Sequence, residues 1–150
     1  MITIKELPVQ EMKDFMQIYE QHAAEVPFMI DGTEIPVELD IDAYQAMEES
    51  GYLTCVVAED DGKIAGYLVV IAYQPTHHKG KLLGITDAFY VLPEYRNADV
   101  FKQLVEYADN RCKQAGVLTL LLGVNQSFPD AGVVASKMGY NQFETYYIKG

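Results

Sequence analysis

The stretch Glu59-Asp-Asp-Gly-Lys-Ile-Ala-Gly-Tyr67 decides the fold of this chain, because it joins two runs typical of β-strands. The run that leads into it, Tyr52 to Ala58, and the run that follows, Lys63 to Tyr73, are rich in β-branched and aromatic residues. An Asp-Gly pair between two such runs is the strongest short-range signal for a β-hairpin. The sequence therefore predicts two adjacent antiparallel strands here.

Further strands and helices are predicted on both sides of this hairpin from the spacing of apolar residues. They alternate in a way that predicts one α/β domain over residues 1–150, with a mixed, mostly antiparallel sheet of about six to seven strands and helices on both faces. The predicted elements are a strand over Ile2–Lys5, a helix from Pro8 to Ala23, a loop over Val26–Val37, a helix over Leu39–Glu49, a strand over Leu82–Leu92, a helix ending at Gly116, a strand buried on both faces over Val117–Val124, a helix from Ser127 to Gly139, and a closing strand over Tyr140–Lys149.

The charge of the chain is strongly negative and excludes some classes of partner. Its 22 acidic side chains outnumber the 11 basic ones, for a net charge of −11. Because such a surface repels phosphates, direct binding of nucleic acid is not expected. A cationic substrate or a basic protein partner is easier to accommodate, although excess acid commonly serves solubility alone.

No membrane span, leader peptide or metal site is predicted. The longest apolar runs are interrupted well before the ~20 residues that a membrane-spanning helix needs. The N-terminus alternates like a strand and lacks the features of a signal peptide, which predicts a cytoplasmic protein. Cys55 and Cys112 are expected to be buried, reduced thiols. The adjacent His77 and His78 point to opposite faces of an extended chain and lack a third ligand, so they indicate a solvated loop.

Four local signatures, in this order and spacing, resemble the GNAT superfamily of N-acetyltransferases over essentially the whole chain. The first is the hairpin described above, and the third is the amphipathic helix that ends at Gly116. The second is Phe89-Tyr-Val-Leu-Pro-Glu-Tyr-Arg96 and the fourth is Lys137-Met-Gly-Tyr140. The resemblance implies an acetyl-CoA-dependent N-acetyltransferase that acts on a primary amine of a small molecule or protein.

The resemblance also implies where acetyl-CoA would bind. In the family, the fourth strand splays from the fifth, and the pantetheine arm pairs with fourth-strand backbone, here Phe89, Tyr90 and Val91. The pyrophosphate loop lies at the start of the following helix, where N–H groups and the helix dipole favour an anion. In this sequence the implied loop residues are Arg96, Asn97, Ala98, Asp99, Val100 and Phe101.

The sequence departs from the family pattern in this loop. Asp99 and Phe101 stand where glycines are expected, so a carboxylate would repel the pyrophosphate and a ring would add bulk. Alternatively, Asn97 or Asp99 simply caps the helix. Asn125 coincides roughly with a family asparagine that contacts the cofactor, but an asparagine before a helix is also a common turn residue.

The resemblance implies that Asp87 is the general base that takes a proton from the acceptor amine. We expect Ile85, Phe89 and Val91 to share its strand face, where partial burial would make the carboxylate a better base. A hydrogen bond to backbone at the splay is the alternative role of Asp87. Ala135 stands where the family often has a tyrosine acid, and none of Tyr140, Tyr146 and Tyr147 matches that motif, so no catalytic acid is assigned.

The acceptor is expected to bind at the loop between the first two helices. By resemblance this loop forms the acceptor-side wall, through Phe28, Met29, Asp31 and Glu34. Its mixture of apolar and acidic groups suits an amine with an aliphatic body, although such a loop can equally be an ordinary cover for the sheet. The alternative function is a catalytically inactive GNAT-fold acidic module that binds a basic protein. The sequence leaves a homodimer open in either case.

Overall fold

The computed structural model describes residues 1–97 and 99–150 of the chain. Strands β1 to β7 are, in chain order, Ile2–Glu6, Phe28–Ile30, Thr33–Ile35, Leu53–Asp60, Lys63–Tyr73, Leu83–Val91 and Leu120–Leu121. Helices α1 to α4 are Met16–Glu25, Ile41–Glu49, Val100–Gln114 and Pro129–Lys137, and short 3₁₀ helices cover Val9–Phe15 and Pro93–Tyr95.

The main sheet has five strands in the order β1-β4-β5-β6-β7. Its first three neighbouring pairs are antiparallel, and β6 and β7 run parallel. Strands β2 and β3 form a separate antiparallel hairpin. The fold is therefore mixed and mostly antiparallel, as the sequence predicts.

The predicted hairpin is confirmed as β4 and β5. Its turn consists of Asp61 and Gly62, which have positive φ angles of 49° and 88°. A two-residue turn with positive φ at both positions matches the twist of the strands on either side, and Asp-Gly tolerates it best. This local chemistry positions the two strands that carry most of the core.

Hydrophobic cores lie on both faces of the main sheet. On one face, buried residues from β4 and β5, such as Val57 and Val69, pack with the first 3₁₀ helix, α1 and α2. On the other face, Leu68 and its neighbours pack against Leu104 and Val105 of α3. Covering helices are thus present on both faces, as predicted.

The two cysteines are buried and free, as predicted. Cys55 belongs to the core under α1 and α2, and Cys112 belongs to the core under α3. Because the sheet lies between them, they cannot approach each other to form a disulfide. Among the described residues, no group of histidine, cysteine and acidic side chains could hold a metal ion.

Local signals also explain where two helices begin and end. The Asp40 side chain accepts a hydrogen bond of 3.0 Å from the Ala43 amide, which caps α2 at its N-terminus. Gly116 has a φ of 79° just after α3, a conformation that glycine adopts without strain. Within the described part of the chain, no helix combines the length and apolar character that crossing a membrane requires.

Four of the predicted elements are wrong in detail. The helix predicted from Pro8 to Ala23 is a 3₁₀ helix over Val9–Phe15 that continues as α1 over Met16–Glu25. The predicted loop contains the β2–β3 hairpin, whose Asp31-Gly32 turn has positive φ at both residues. The predicted strand over 117–124 reduces to Leu120–Leu121, because β7 diverges from β6 beyond this point. The predicted closing strand over 140–149 has no regular structure, and Phe143 and Tyr147 are 82% and 94% exposed. Aromatic alternation favours a strand only where a neighbouring backbone is available to pair with it.

Candidate active site

A cavity of about 290 Å³ lies on the face of the main sheet that α1 and α2 cover. The hairpin β2–β3 and the segment that follows it form its outer wall. The lining is mostly apolar and aromatic, with carboxylates contributed by two separate elements, β3 and β6. Its lining residues are Met12, Tyr19, His22, Ala23, Val26, Phe28, Glu34, Ile35, Pro36, Val37, Leu39, Tyr44, Tyr67, Val69, Asp87 and Ala88.

Asp87 faces this cavity because of an irregularity in β6. Val69 of β5 pairs with Ala88, and the next residue, Val70, pairs with Thr86, so Asp87 is the extra residue of a β-bulge. A bulge turns a side chain away from the regular alternation of the strand. As a result Asp87 and the adjacent Ala88 both line the cavity.

The expected surroundings of Asp87 are therefore wrong. Phe89 and Val91 belong to the opposite face of the sheet, where they pack against the α3 core, and Asp87 itself is exposed. Its carboxylate instead accepts a hydrogen bond of 2.5 Å from the Tyr44 hydroxyl on α2. Burial and this contact with Asp87 raise the pKa of Tyr44 well above its usual value, so the hydroxyl keeps its proton and acts as a donor.

Strands β6 and β7 splay apart directly beside Asp87. Their parallel pairing covers Gly84 with Leu120 and Ile85 with Leu121, whereas β6 continues to Val91. At the start of the opening, the Gly123 amide donates a 2.8 Å hydrogen bond to the Thr86 side chain rather than to strand backbone. A gap thus extends along β6 from the bulge toward the start of α3.

Arg96 lies at the far end of this gap and is held by two oxygen groups. Its Nε donates a 3.0 Å hydrogen bond to the carbonyl of Val91. Its other nitrogens form a two-point ion pair with Glu25 of α1, at 2.8 Å for each contact. The guanidinium also lies 4.9 Å from the centre of the Phe128 ring. Arg96 therefore ties together α1, the end of β6 and the segment before α4.

A family model described as an acetyltransferase (GNAT) domain matches residues 51–142, which include the hairpin, the bulge, the splay and Arg96. The chain belongs to the GNAT acetyltransferase family. A search of curated protein sequences finds no significant match.

Solved structures of other acetyltransferases share the fold of this GNAT protein at low sequence identity. A ribosomal-protein-alanine N-acetyltransferase from Brucella melitensis biovar Abortus 2308 is 15% identical, with a TM-score of 0.72 and 99% of each chain covered. Glucosamine-6-phosphate N-acetyltransferase from Arabidopsis thaliana is 16% identical, with a TM-score of 0.75 over 100% of this chain and 98% of that chain. An aminoglycoside N-acetyltransferase solved in complex with CoA is 14% identical, with a TM-score of 0.71 over 99% and 98% of the two chains.

The loop before α3 keeps a glycine-like backbone in this GNAT chain although it lacks the glycine. Asp99 has φ 57° and ψ 21°, in the left-handed region that glycine adopts freely and aspartate tolerates. Asp99 occupies the N-cap position of α3, but its side chain accepts no hydrogen bond from the first turn of the helix, so the alternative in which its side chain caps α3 is wrong. Asn97 is exposed, and Ala98 lies outside the described residues.

The bulky ring of the loop does not block the start of α3. Phe101 packs on Phe89 with ring centres 4.7 Å apart, on the α3 face of the sheet. Val100 is completely buried in the same core. Phe101 therefore anchors the start of the helix to β6, and Val100 anchors it in the same core.

The structure separates the other predicted residues into two groups. Phe28 and Glu34 line the cavity, whereas Met29 and Asp31 lie on the hairpin outside the cavity wall.

Asn125 forms a turn: its side chain accepts a 2.9 Å hydrogen bond from the Ser127 amide, and its carbonyl accepts a hydrogen bond from the Phe128 amide. This geometry corresponds to the turn role that the sequence left open for Asn125.

No tyrosine of the C-terminal region lies in the wall of the cavity. Ala135, at the family position of the acid, is buried. Tyr140 packs against the α3 core, on the opposite face of the sheet from Asp87, and burial raises its pKa to about 12. Tyr146 and Tyr147 are largely exposed.

Sequence reasoning missed the residues of α1 and α2 that complete the site. The Tyr67 hydroxyl and His22 Nδ1 are 2.5 Å apart, and the His22 ring stacks on Tyr90 with centres 4.6 Å apart. Burial lowers the pKa of His22, which favours a neutral ring. Tyr19, His22 and Val26 recur at helical spacing, which indicates a shared face but not the sheet residues that this face contacts.

Glu25 connects this aromatic cluster with Arg96, because it accepts a hydrogen bond from the Tyr90 hydroxyl as well. Burial and this bond raise the pKa of Tyr90 to about 12. The hydrogen bonds from Arg96 hold the pKa of Glu25 below its usual value. The carboxylate of Glu25 is thus favoured in its charged form.

We expect Glu25 to stabilise the fold in a pH-dependent way. Because its pKa is lower in the folded chain, its contribution is present above the unfolded-state value of about 4.3 and disappears as the pH falls through the folded-state value. Urea unfolding of the wild type and of Glu25→Gln, from about pH 7 to about pH 2, should show a wild-type advantage that begins to shrink near the unfolded-state pKa and is lost below the folded-state pKa. Glu20→Gln, a change at an exposed position of the same helix, is the control and should show no such trend. If the difference between the wild type and Glu25→Gln does not vary with pH, the ionised Glu25 carboxylate does not stabilise the fold.

Proposed function

We propose that this protein is an acetyl-CoA-dependent N-acetyltransferase that transfers the acetyl group to a primary amine of a small molecule or protein. The observation that carries the proposal is the gap between β6 and β7, which opens directly beside a carboxylate, Asp87, at the edge of an apolar cavity. Membership of the GNAT family supports the same reaction class. The solved GNAT structures add the fold alone, because their sequence identities are low.

The residues along the gap fit the proposed acyl donor. Phe89 and Tyr90 pair with β5 on one side but with no strand on the β7 side, where the backbone of β6 can pair with the amide groups of an extended pantetheine arm as with an added strand. The Val91 carbonyl is already bound to Arg96, so the paired stretch would end there. At the end of the gap, the first turn of α3 is not capped by Asp99, which leaves amide N–H groups for a pyrophosphate. The donor supplies a thioester, whose carbonyl carbon is activated for attack by an amine.

Asp87 is suited to prepare the acceptor for this attack. An acceptor ammonium gives up two protons in the overall reaction: one to the departing thiolate, which leaves as a thiol, and one to solvent. The C–N bond of the amide forms as the C–S bond of the thioester breaks. We assign to the Asp87 carboxylate the role of base that removes the second proton and passes it to solvent. The Tyr44 hydroxyl orients this carboxylate through its hydrogen bond. No residue is assigned to protonate the thiolate.

The alternative, an inactive acidic binding module, is not favoured. The altered loop before α3, the missing tyrosine at Ala135 and the negative charge of the chain motivate it. In the described structure the strands splay, Asp99 does not cap α3, and Phe101 packs on Phe89. The acidic surface remains, but a net charge of −11 equally favours a cationic acceptor.

Two measurements test the proposal together. Calorimetric titration with acetyl-CoA should give saturable binding, and a thiol-release assay with a panel of primary amines should give turnover that depends on the amine. Binding without turnover on any amine, or turnover without the amine, would contradict acetyl transfer. An absence of heat at millimolar acetyl-CoA would overturn the proposal as a whole.

We expect Asp99 to weaken the binding of acetyl-CoA through its charge. Asp99→Asn removes the charge at a position where asparagine also tolerates the left-handed backbone, and Asp99→Gly removes the charge and relaxes the backbone. Charges at helix N-termini are worth about 0.3–1 kcal/mol, so both variants should bind acetyl-CoA about two- to fivefold more tightly. The gain should shrink at high salt; weaker binding in both variants would contradict a pyrophosphate site at this loop.

A further inference from the structure

The cavity wall contains two carboxylates, and among the described residues it contains no lysine or arginine. Glu34 comes from the outer hairpin and Asp87 from the sheet. Within residues 1–97 and 99–150, neither carboxylate takes part in an ion pair. Both negative charges are therefore available to a ligand in the cavity.

The remaining polar groups of the wall are neutral. Burial lowers the pKa of His22 and raises those of Tyr19, Tyr44 and Tyr67, so that the imidazole and the three phenols carry no charge at neutral pH. An anionic acceptor, such as a phosphorylated amino sugar, would find no cation here to offset the cost of leaving water. The faces of tyrosine rings attract cations instead.

The volume and apolar lining restrict the acceptor further. About 290 Å³ is near the lower limit of the ~300–1,000 Å³ that small-molecule sites occupy. Phe28, Ile35 and Val37 offer hydrocarbon contact on the hairpin side. The wall thus suits a short alkyl chain between two positively charged ends better than a polar, multi-ring molecule.

From this wall we infer that the acceptor is a small aliphatic diamine, whose reacting nitrogen lies at Asp87 and whose second nitrogen stays protonated at Glu34. This inference rests on the proposed acetyl transfer. The product is the mono-acetylated diamine: the nitrogen at Asp87 becomes an amide as the thioester C–S bond breaks, and the nitrogen at Glu34 keeps all its protons.

The test compares tetramethylenediamine, which is butane with an amine at each end, with butylamine, which lacks the second charge. In calorimetric titrations of the wild type without acetyl-CoA, the diamine should bind up to about fivefold more tightly, because Glu34 is exposed and an exposed ion pair adds roughly 0.2–1 kcal/mol. Glu34→Gln should remove this preference and leave the affinity for butylamine unchanged. Glu38→Gln removes the same charge from an exposed neighbour outside the cavity wall and should keep the preference.

The outcomes separate this inference from the proposed function. Equal binding of the two amines, binding of neither amine at millimolar concentration, or equal effects of Glu34→Gln and Glu38→Gln would overturn the diamine site. Acetylation of butylamine and the diamine with equal kcat/KM would overturn the inference while leaving acetyl transfer intact. A diamine preference that depends on Glu34, in a protein that does not bind acetyl-CoA, would support the site and reject the enzyme.

Discussion

Replacing Asp87 by asparagine should reduce kcat for amine acetylation by about 10²–10⁴-fold, the usual contribution of a general base. The amide is nearly the same shape as the carboxylate, and its oxygen can still accept the hydrogen bond from Tyr44. It cannot take a proton from the ammonium of the acceptor. Because the gap that receives acetyl-CoA does not use the Asp87 side chain, donor affinity should remain within about twofold of the wild type.

The matched control for this variant is Asp14→Asn, an identical change at an exposed position of the first 3₁₀ helix. It should leave kcat and donor affinity unchanged. If Asp87→Asn retains more than about a tenth of wild-type kcat, the carboxylate is not the base. If the loss of activity is accompanied by a large fall in the free energy of unfolding, Asp87 instead supports the structure of the bulge.

Replacing Leu104 by alanine should lower the free energy of unfolding by about 2–5 kcal/mol, the range for a large-to-small change in a rigid core. Leu104 is completely buried between α3 and the sheet, where it faces the glycine of β5 at position 66. The close backbone approach at Gly66 gives neighbouring atoms little freedom to fill the resulting cavity. Chemical unfolding monitored by circular dichroism measures the loss.

Leu118→Ala is the control, because the same atoms are removed from a side chain that is 62% exposed. Its effect should stay within about 0.5 kcal/mol of zero. A loss below about 1 kcal/mol for Leu104→Ala would mean that α3 shifts to fill the space. Since α3 begins at the end of the proposed donor gap, such a shift should also change acetyl-CoA affinity.

The bulge in β6 shows why the candidate base could be predicted while its surroundings could not. Family resemblance alone singles out Asp87 from the sequence. Strict alternation then assigns it to the face of Phe89 and Val91, but one extra residue reverses that assignment. No residue type near Asp87 signals the bulge, because it arises from how β6 fits against β5.

The remaining partners of the site come from distant parts of the chain. Tyr44 and Asp87 are separated by 43 residues, and Glu25 and Arg96 by 71. Periodicity predicts the helix that carries Tyr44 and a first helix that ends at Ala23, two residues before Glu25, and therefore which helical residues share a face. It contains no information on which sheet residue each face will meet.

The sequence by itself determined the elements whose signals are local: the Asp-Gly hairpin, the amphipathic helix α3 and its end at Gly116. Turn chemistry and helical spacing act within a few residues, so they can be recognised without coordinates. Tertiary structure decided the extent of β7, the lack of a closing strand and the pairing of Arg96 with Glu25. These features depend on which surfaces meet after folding, and burial and backbone pairing between distant segments outweigh local preference there.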